Sequence, residues 1–117
     1  MSGIDWTGTS GADVMRGTSG NDRMNGGDGD DWLFGREGAD VLKGGDGDDT
    51  VVGGDDGNGD YLGGGKGDDT IISGAGGDFL IGGEGADTYL IAAGYGTDTI
   101  GGISEEDEIV FQSDTYG

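Results

Sequence analysis

Aspartate recurs at a near-constant interval through almost the whole chain, and this periodicity limits the possible folds more than any other feature of the sequence. Successive members of the series are nine residues apart, except at two steps of eleven. They are Asp13, Asp22, Asp31, Asp40, Asp49, Asp60, Asp69, Asp78, Asp87, Asp98 and Asp107. Because a unit of this length cannot bury a hydrophobic face alone, the pattern predicts a solenoid of stacked repeats.

An apolar or aromatic residue follows each of these aspartates at the second position, in all eleven repeats. Glycine stands two residues before the aspartate in nine repeats, so the unit reads G-G-x-G-x-D-x-U-x, with U apolar. Glycines permit positive φ, which favours a tight turn over the first six positions. The x-U-x tail suits a short strand whose central side chain points inward.

Two such units make one coil of the expected solenoid, so odd and even repeats form two parallel sheets. We name these the odd-repeat sheet and the even-repeat sheet. The U residues of the odd-repeat sheet are Met15, Leu33, Val51, Ile71, Tyr89 and Ile109. Those of the even-repeat sheet are Met24, Leu42, Leu62, Leu80 and Ile100. One thin apolar core is expected between the two rows.

The unit resembles the calcium-binding nonapeptide repeat of the RTX family. The resemblance is strongest in GGDGDDWLF (26–34), GGDGDDTVV (44–52) and GGKGDDTII (64–72), and it extends over residues 8–111. It implies an all-β fold, a right-handed parallel β-roll with two short-stranded parallel sheets and calcium in the turns. We therefore expect a single module over residues 1–117, with a lead-in at 1–7, eleven repeats at 8–111 and a tail at 112–117.

The composition indicates that the fold needs a stabilising partner. Val, Leu, Ile and Phe number 21 of 117 residues, glycine supplies 32, and the net charge is −20. Hydrophobic burial on this scale cannot offset a backbone entropy cost of ~1–2 kcal/mol per residue. A disordered Gly/Asp-rich segment is the alternative. Disorder does not account for an apolar or aromatic residue at the same position of all eleven repeats.

Calcium is the partner that this composition favours. The chain has neither cysteine nor histidine, so thiolate and imidazole metal sites are excluded and oxygen ligands remain. Calcium accepts about six to eight oxygen ligands, carboxylate and carbonyl together, which is the set that a Gly/Asp turn offers.

Calcium ligands are expected in the turns of the repeats. By the resemblance, an ion lies between the turns of repeats i and i+2 and takes carbonyl oxygens and one aspartate carboxylate from each. The aspartates expected to bind are Asp13, Asp22, Asp31, Asp40, Asp49, Asp60, Asp69, Asp78, Asp87 and Asp98. The other turn residues expected to contribute are Gly26, Asp28, Gly29, Gly44, Gly45, Asp46, Gly47, Gly64, Gly65, Gly67, Gly82, Gly83 and Gly85. Eleven turns on two edges allow several Ca²⁺ ions, at most about nine.

Some of these sites are expected to be weak. Both eleven-residue steps, around Gly53–Gly59 and Ala92–Tyr95, fall in even-numbered repeats, so irregular sites should cluster on one edge. Thr9 and Thr18 replace the second glycine of the first two repeats, and the last repeat also departs from the motif.

Calcium-coupled folding is the function that these features favour. Ligands about one coil apart in sequence do not form a site in the unfolded chain, so calcium affinity appears as folding free energy. We expect a chain that is disordered at low calcium and folds outside the cell. Resemblance to RTX proteins implies type I secretion and a structural, secretion-folding role. The N-terminal MSGIDWTGTSG has no basic region followed by an apolar stretch, so it does not read as a secretory signal peptide.

Other function classes are disfavoured. Five Lys and Arg against 25 Asp and Glu would repel nucleic acid, and no apolar run approaches the ~20 residues of a membrane span. Adjacent acids such as Asp30 and Asp31 could suggest glycosidase chemistry, but their repetition in the turns favours metal ligation. No nucleophile stands out, and we expect a protein that is not an enzyme.

The outward positions of the odd-repeat sheet suggest a further partner. A contiguous apolar stripe usually marks a contact surface, although β propensity alone can also produce one. Self-association or contact with a neighbouring domain is therefore expected through Trp32, Phe34, Val52, Ile72 and Leu90.

Several binding functions remain open as alternatives. RTX-like R-modules of alginate epimerases bind the carbohydrate polyuronate, and an adhesin-type domain is a related possibility. The cations that could form an anion-binding strip are Arg16, Arg23, Arg36, Lys43 and Lys66. A calcium β-solenoid with a flat threonine array can bind ice. The odd repeats offer only three threonines for such an array, namely Thr50, Thr70 and Thr88.

Overall fold

The computed structural model describes residues 3–54, 59–74, 76–91 and 98–111. Within these ranges the chain forms β-strands and no helix. The strands are β1 (Asp5–Thr7), β2 (Val14–Arg16), β3 (Arg23–Asn25), β4 (Trp32–Phe34), β5 (Val41–Lys43), β6 (Thr50–Val52), β7 (Tyr61–Lys66), β8 (Thr70–Ile72), β9 (Phe79–Glu84), β10 (Thr88–Ile91), β11 (Thr99–Gly101) and β12 (Glu108–Phe111).

The strands form two six-stranded parallel sheets, which confirms the predicted parallel β-roll. Because β1 precedes the first repeat, the odd-numbered repeats supply the even-numbered strands. The odd-repeat sheet has the order β2-β4-β6-β8-β10-β12, and the even-repeat sheet has the order β1-β3-β5-β7-β9-β11. Each strand therefore pairs with the strand one coil away, as expected for a solenoid.

Strand register places the U residues of successive coils opposite one another. Leu33 pairs with Val51, and Leu42 pairs with Leu62. The second pair is two residues further apart in sequence than the first, so the extra residues lie in the turn and leave the strands aligned. The two predicted inward rows are confirmed.

The core consists mainly of the U residues, one from each repeat strand, with Ile91 of β10 buried beside them. The nine U residues from Met15 to Tyr89 are all 0–1% exposed, whereas Ile100 and Ile109 at the C-terminal end are partly buried. Residues on either side of U face outward, as the alternation of a strand requires. A core one residue deep on each sheet buries little apolar surface, so the turns must contribute to stability.

The first strand lies in the segment assigned to the lead-in. Trp6 on β1 pairs with Met24, and the amide of Ile4 donates a hydrogen bond to Asp22 Oδ1 at 2.8 Å. Ile4 thus occupies the position that aspartate holds in the eleven repeats. The solenoid begins half a coil earlier than the aspartate series indicates.

Several sequence expectations fall on parts of the chain outside the described residues, including the tail at 112–117 and most of the longer turns. No helix in the described ranges has the length and apolar character needed to cross a membrane.

Candidate metal centre

The repeat aspartates form a ladder along each edge of the solenoid. The amide of Asp31 donates to Asp49 Oδ1, and the amide of Asp49 donates to Asp69 Oδ1, both at 2.8 Å. The same bond joins every consecutive pair of repeat aspartates on both edges, at 2.7–2.9 Å. One carboxylate oxygen of each inner aspartate is therefore fixed between two coils. We call the edge that carries the turns of the odd repeats the odd edge, and the other the even edge.

The second carboxylate oxygen has no such partner in the inner turns of the odd edge. Oδ2 is buried and receives no hydrogen bond from any described residue in four successive turns, those of Asp31, Asp49, Asp69 and Asp87. A buried charged oxygen without a donor or a cation is strongly destabilising. These four atoms indicate that a cation belongs in the turns.

The first glycine of several repeats leaves space beside the carboxylate. A Cβ atom on Gly26 would lie 2.5 Å from Asp31 Oδ2 and 2.6 Å from the carbonyl oxygen of Gly44 in the next coil. A carboxylate oxygen and a backbone carbonyl oxygen from different coils thus face one small space that any side chain would fill. The same pair of oxygen types borders the corresponding space at Gly8, Gly17, Gly35 and Gly53.

The other turn glycines allow the coils to stack closely. Gly45 and Gly47 have φ of 94° and 111°, and a Cβ on either would collide with a carbonyl oxygen of the preceding coil. Only glycine adopts this conformation without strain. Among the predicted turn residues, positive φ occurs at Gly29, Gly45, Gly47, Gly65, Gly67, Gly83 and Gly85, whereas Gly26, Gly44, Gly64 and Gly82 are buried beside the aspartates.

Burial perturbs the acidity of the ladder. It raises the pKa of Asp49 to about 7 and that of Asp69 to about 8, from the ordinary value of 3.8, and repulsion from neighbouring carboxylates adds to the effect. The pKa of Asp87 is raised to about 6 for the same reason. Without a cation, the ionised form of this ladder is electrostatically unfavourable.

The donor set fits a hard cation bound mainly by oxygen from the backbone. Within the described residues no group of three or more His, Cys, Asp or Glu side chains lies close enough to hold a metal. The spaces beside the first glycines instead bring one carboxylate oxygen together with a backbone carbonyl oxygen of the next coil. Calcium accepts such a mixed set at irregular geometry, whereas magnesium requires near-ideal octahedral ligands and keeps several waters.

The terminal turns differ from the inner ones in how their aspartates are satisfied. Thr9 donates its amide to Asp13 Oδ2 at 2.7 Å and its hydroxyl to Asp13 Oδ1 at 2.9 Å. Thr18 donates its amide to Asp22 Oδ2 at 2.7 Å and its hydroxyl to Asp22 Oδ1 at 2.8 Å. These carboxylates already have protein donors, which supports the expectation that the first turns bind metal weakly.

A second, outer row of carboxylates was not predicted from the sequence. Asp30 Oδ1 accepts the amide of Asp48, and Asp48 Oδ1 accepts the amide of Asp68, both at 2.8 Å. The Asp-Asp pairs of the best-matching repeats are the available sequence signal, but residue type alone suggests metal ligands or acids and not hydrogen bonds between coils. Asp28 and Asp46, predicted as turn ligands, lie exposed on the same edge.

Comparison with known families agrees with this geometry. The family model described as RTX calcium-binding nonapeptide repeat (4 copies) matches residues 7–42, 25–59 and 56–89. The chain belongs to this family. The matched RTX repeats include the four odd-edge aspartates whose Oδ2 receives no hydrogen bond from the described residues, and the RTX β-roll is a structural calcium-binding fold. A comparison with curated proteins found no match.

Proposed function

We propose that this chain is a non-catalytic RTX module that folds when it binds several Ca²⁺ ions in the extracellular space. It would serve as the structural and secretion-folding element of a type I secreted protein. The observation that carries the proposal is the series of four buried Oδ2 atoms on the odd edge, which receive no hydrogen bond from the described residues. Family membership supports calcium as the cation.

The inner turns would hold the ions. Carboxylates of consecutive repeat aspartates, such as Asp49 and Asp69, would bind together with carbonyl oxygens of the flanking turns. A bound dication would compensate the buried Oδ2 charges and oppose the repulsion that raises the pKa of these groups. At most one ion between each of the nine consecutive pairs of repeat aspartates would give an upper limit of about nine ions.

The charge of the chain couples folding to calcium. With a net charge of −20 and a core one residue deep on each sheet, the calcium-free chain has strong self-repulsion and little hydrophobic stabilisation. Calcium supplies both charge compensation and cross-links between coils, so binding and folding form one equilibrium. Such a chain stays unfolded at the low calcium of the cytosol and folds at the millimolar calcium found outside the cell.

Far-UV circular dichroism during a calcium titration of chelator-treated protein tests this proposal. We expect a cooperative change from coil to β with calcium, and little change with equal concentrations of magnesium. A spectrum that is already β in chelator, or that remains coil at millimolar calcium, would contradict calcium-coupled folding. Isothermal titration calorimetry on the same samples counts the ions, which should number nine or fewer.

A groove on the even-repeat sheet favours a second candidate function, the binding of an acidic carbohydrate. Two adjoining depressions of about 360 and 270 Å³ share Asn25 and Lys43 as lining residues. Arg23 lines the first and Tyr61 the second, and Gly63 leaves the floor open. Cations beside the half-buried ring of Tyr61 suit a sugar that carries a carboxylate, as a polyuronate does.

Calorimetry with short polyuronate oligosaccharides in calcium tests this second function. We expect binding that weakens about tenfold in an Arg23→Gln/Lys43→Gln variant, because both charge-assisted contacts are lost. Lys66→Gln is the matched control, since Lys66 is exposed and lines neither depression. An absence of binding, or equal loss in the control, would rule out this groove as the site.

A further inference from the structure

Tyr89 carries the one hydroxyl group in the two inward rows of U residues. The residue is fully buried in the core on β10, and its ring extends toward the odd edge, where the hydroxyl oxygen Oη accepts the amide of Gly82 at 2.7 Å. Oη forms no other hydrogen bond with a described residue. Because a hydroxyl has one proton and two lone pairs, part of its bonding capacity is unused at this buried place.

The hydrogen bond from Gly82 replaces a bond between coils. In earlier turns of the odd edge, the first glycine donates its amide to a carbonyl oxygen of the next coil, as Gly26 does to Lys43 at 2.8 Å. The corresponding residue for Gly82 is Gly101, where the ladder between β9 and β11 ends. Tyr89 therefore supplies an acceptor that the next coil supplies elsewhere.

Oη also takes the place of a carbonyl oxygen beside a buried carboxylate. In the turns of Gly8 and Gly26, a carboxylate oxygen and a carbonyl oxygen of the next coil face one small space. Beside Gly82 the second oxygen is Tyr89 Oη: a Cβ atom on Gly82 would lie 2.5 Å from Oη and closer still to Asp87 Oδ2. Asp87 is 1% exposed, and its Oδ2 receives no hydrogen bond from the described residues. One charged and one neutral oxygen therefore face the same space.

The turn of the last repeat departs from the path of the earlier turns on this edge. Gly102 stands at its first position, yet a Cβ atom on Gly102 would meet no atom within 4 Å, and its φ is 67°. A Cβ atom on any other first glycine in the described ranges would collide with the carboxylate of its own repeat, and none of these glycines has positive φ. Asp107 Oδ2 already accepts the amide of Ser104 at 2.7 Å. The last turn therefore offers fewer free oxygen atoms to a cation beside Asp87.

We propose that Oη of Tyr89 is a calcium ligand, in a site at the C-terminal end of the odd edge that it shares with Asp87 Oδ2. Calcium accepts neutral oxygen atoms from carbonyls and water alongside carboxylates, and a phenol offers a neutral hydroxyl oxygen. The Gly82 amide would hold Oη in place through its hydrogen bond. The inference rests on the proposed calcium binding and adds a ligand from outside the turn motif.

Tyr89→Phe tests this role, because phenylalanine keeps the buried ring and removes only Oη. Binding isotherms are measured by equilibrium dialysis against radioactive calcium over a range of free calcium concentrations. One site of the variant should bind about tenfold more weakly than in wild type, or not at all, because it has lost a ligand. The remaining sites should keep their affinities, and far-UV circular dichroism at saturating calcium should remain that of the folded chain.

A purely structural role of Tyr89 has a different signature. If Oη only accepted the Gly82 amide, its loss would destabilise the fold and shift all sites together, because calcium binding and folding form one equilibrium. Thr99→Val is the matched control, since it also removes one hydroxyl group, from an exposed position on β11. This control should leave every calcium affinity within about twofold of wild type.

A second variant reaches the same site and leaves Tyr89 unchanged. Gly82→Ala would place a Cβ atom in the space that Oη and Asp87 Oδ2 face, so it should weaken the same site. The double variant Tyr89→Phe/Gly82→Ala should lose no more calcium than the single variants, because both changes remove the same ion. Gly101→Ala is the control for this change, since its Cβ would meet no atom closer than 3.6 Å.

The outcomes distinguish this inference from the function on which it rests. A Tyr89→Phe chain with the wild-type isotherm, or with all sites shifted equally, overturns Oη as a ligand and leaves calcium-dependent folding intact. Additive losses in the double variant overturn a shared site beside Gly82. A wild-type chain that binds no calcium in dialysis overturns both proposals.

Discussion

Asp69→Asn is expected to weaken calcium binding and, at the same time, to stabilise the calcium-free fold. Asp69 is buried in the middle of the odd edge, where its Oδ1 accepts the Asp49 amide and its Oδ2 receives no hydrogen bond from the described residues. Burial raises the pKa of Asp69 to about 8, and the carboxylates of Asp49 and Asp87 add to the effect. Asparagine keeps the Oδ1 acceptor but carries no charge. The substitution therefore removes both a calcium ligand and the repulsion that opposes folding without calcium.

The two effects have opposite signs and are measured in one pair of titrations. In circular dichroism, the calcium concentration at half-folding should rise about tenfold or more, because a charged ligand is lost from a site whose affinity depends on ligand charge. In chelator at pH 8, the variant should show more β structure than wild type, because the neutral asparagine side chain resembles a protonated aspartate side chain.

Asp68→Asn provides the matched control for this substitution. Asp68 is adjacent in sequence and exposed, and its Oδ1 accepts the amide of Ala86 at 2.8 Å, which an asparagine can also do. The change in net charge is the same, but no buried carboxylate is removed. Equal shifts in the two variants would mean that overall charge, and not the buried ladder, controls calcium-coupled folding.

The repeat pattern was sufficient to predict the fold, because the inward rows and the pairing of the strands both depend on the nine-residue repeat. The U residues define the inward rows, and the coil length defines which strands pair, so Val51 opposite Ile71 follows from counting. The segment that contains β1 could not be recognised in this way. Ile4 replaces the aspartate there, and the coil is seen to continue only from the pairing of Trp6 with Met24 and from the Ile4 amide, which donates to Asp22 Oδ1.

The candidate site was less predictable because hydrogen bonding, and not residue type, distinguishes one turn from another. Asp13 and Asp31 occupy the same repeat position, yet Asp13 Oδ2 accepts the amide of Thr9 whereas Asp31 Oδ2 receives no hydrogen bond from the described residues. From the sequence, a threonine at the second position is only a departure from the motif. The sequence does not show that the threonine amide and hydroxyl donate hydrogen bonds to the carboxylate. The left-handed backbone of Arg36, with φ of 69°, is likewise visible only in the structure, since its residue type alone indicates a surface cation.

Acidification is expected to promote folding in the absence of calcium. The pKa values of Asp49, Asp69 and Asp87 are raised to about 7, 8 and 6, whereas the same groups in the unfolded chain titrate near 3.8. Between these values the folded state binds more protons than the unfolded state, so stability falls as pH rises. The stabilisation from protonation is complete below about pH 4 and is lost as pH rises through 6 to 8.

Circular dichroism between pH 8 and pH 5 should therefore give two different curves. In chelator, β structure should increase as the pH falls, because protons neutralise the buried ladder. In saturating calcium the signal should remain nearly constant, because the carboxylates are ionised in both the calcium-bound and the unfolded states over this range. Asp69→Asn should flatten the chelator curve, whereas Asp68→Asn should follow wild type. Protein that stays unfolded in chelator down to pH 5 would show that the buried carboxylates do not limit folding, and the coupling to calcium would then have to arise from cross-linking of the coils alone.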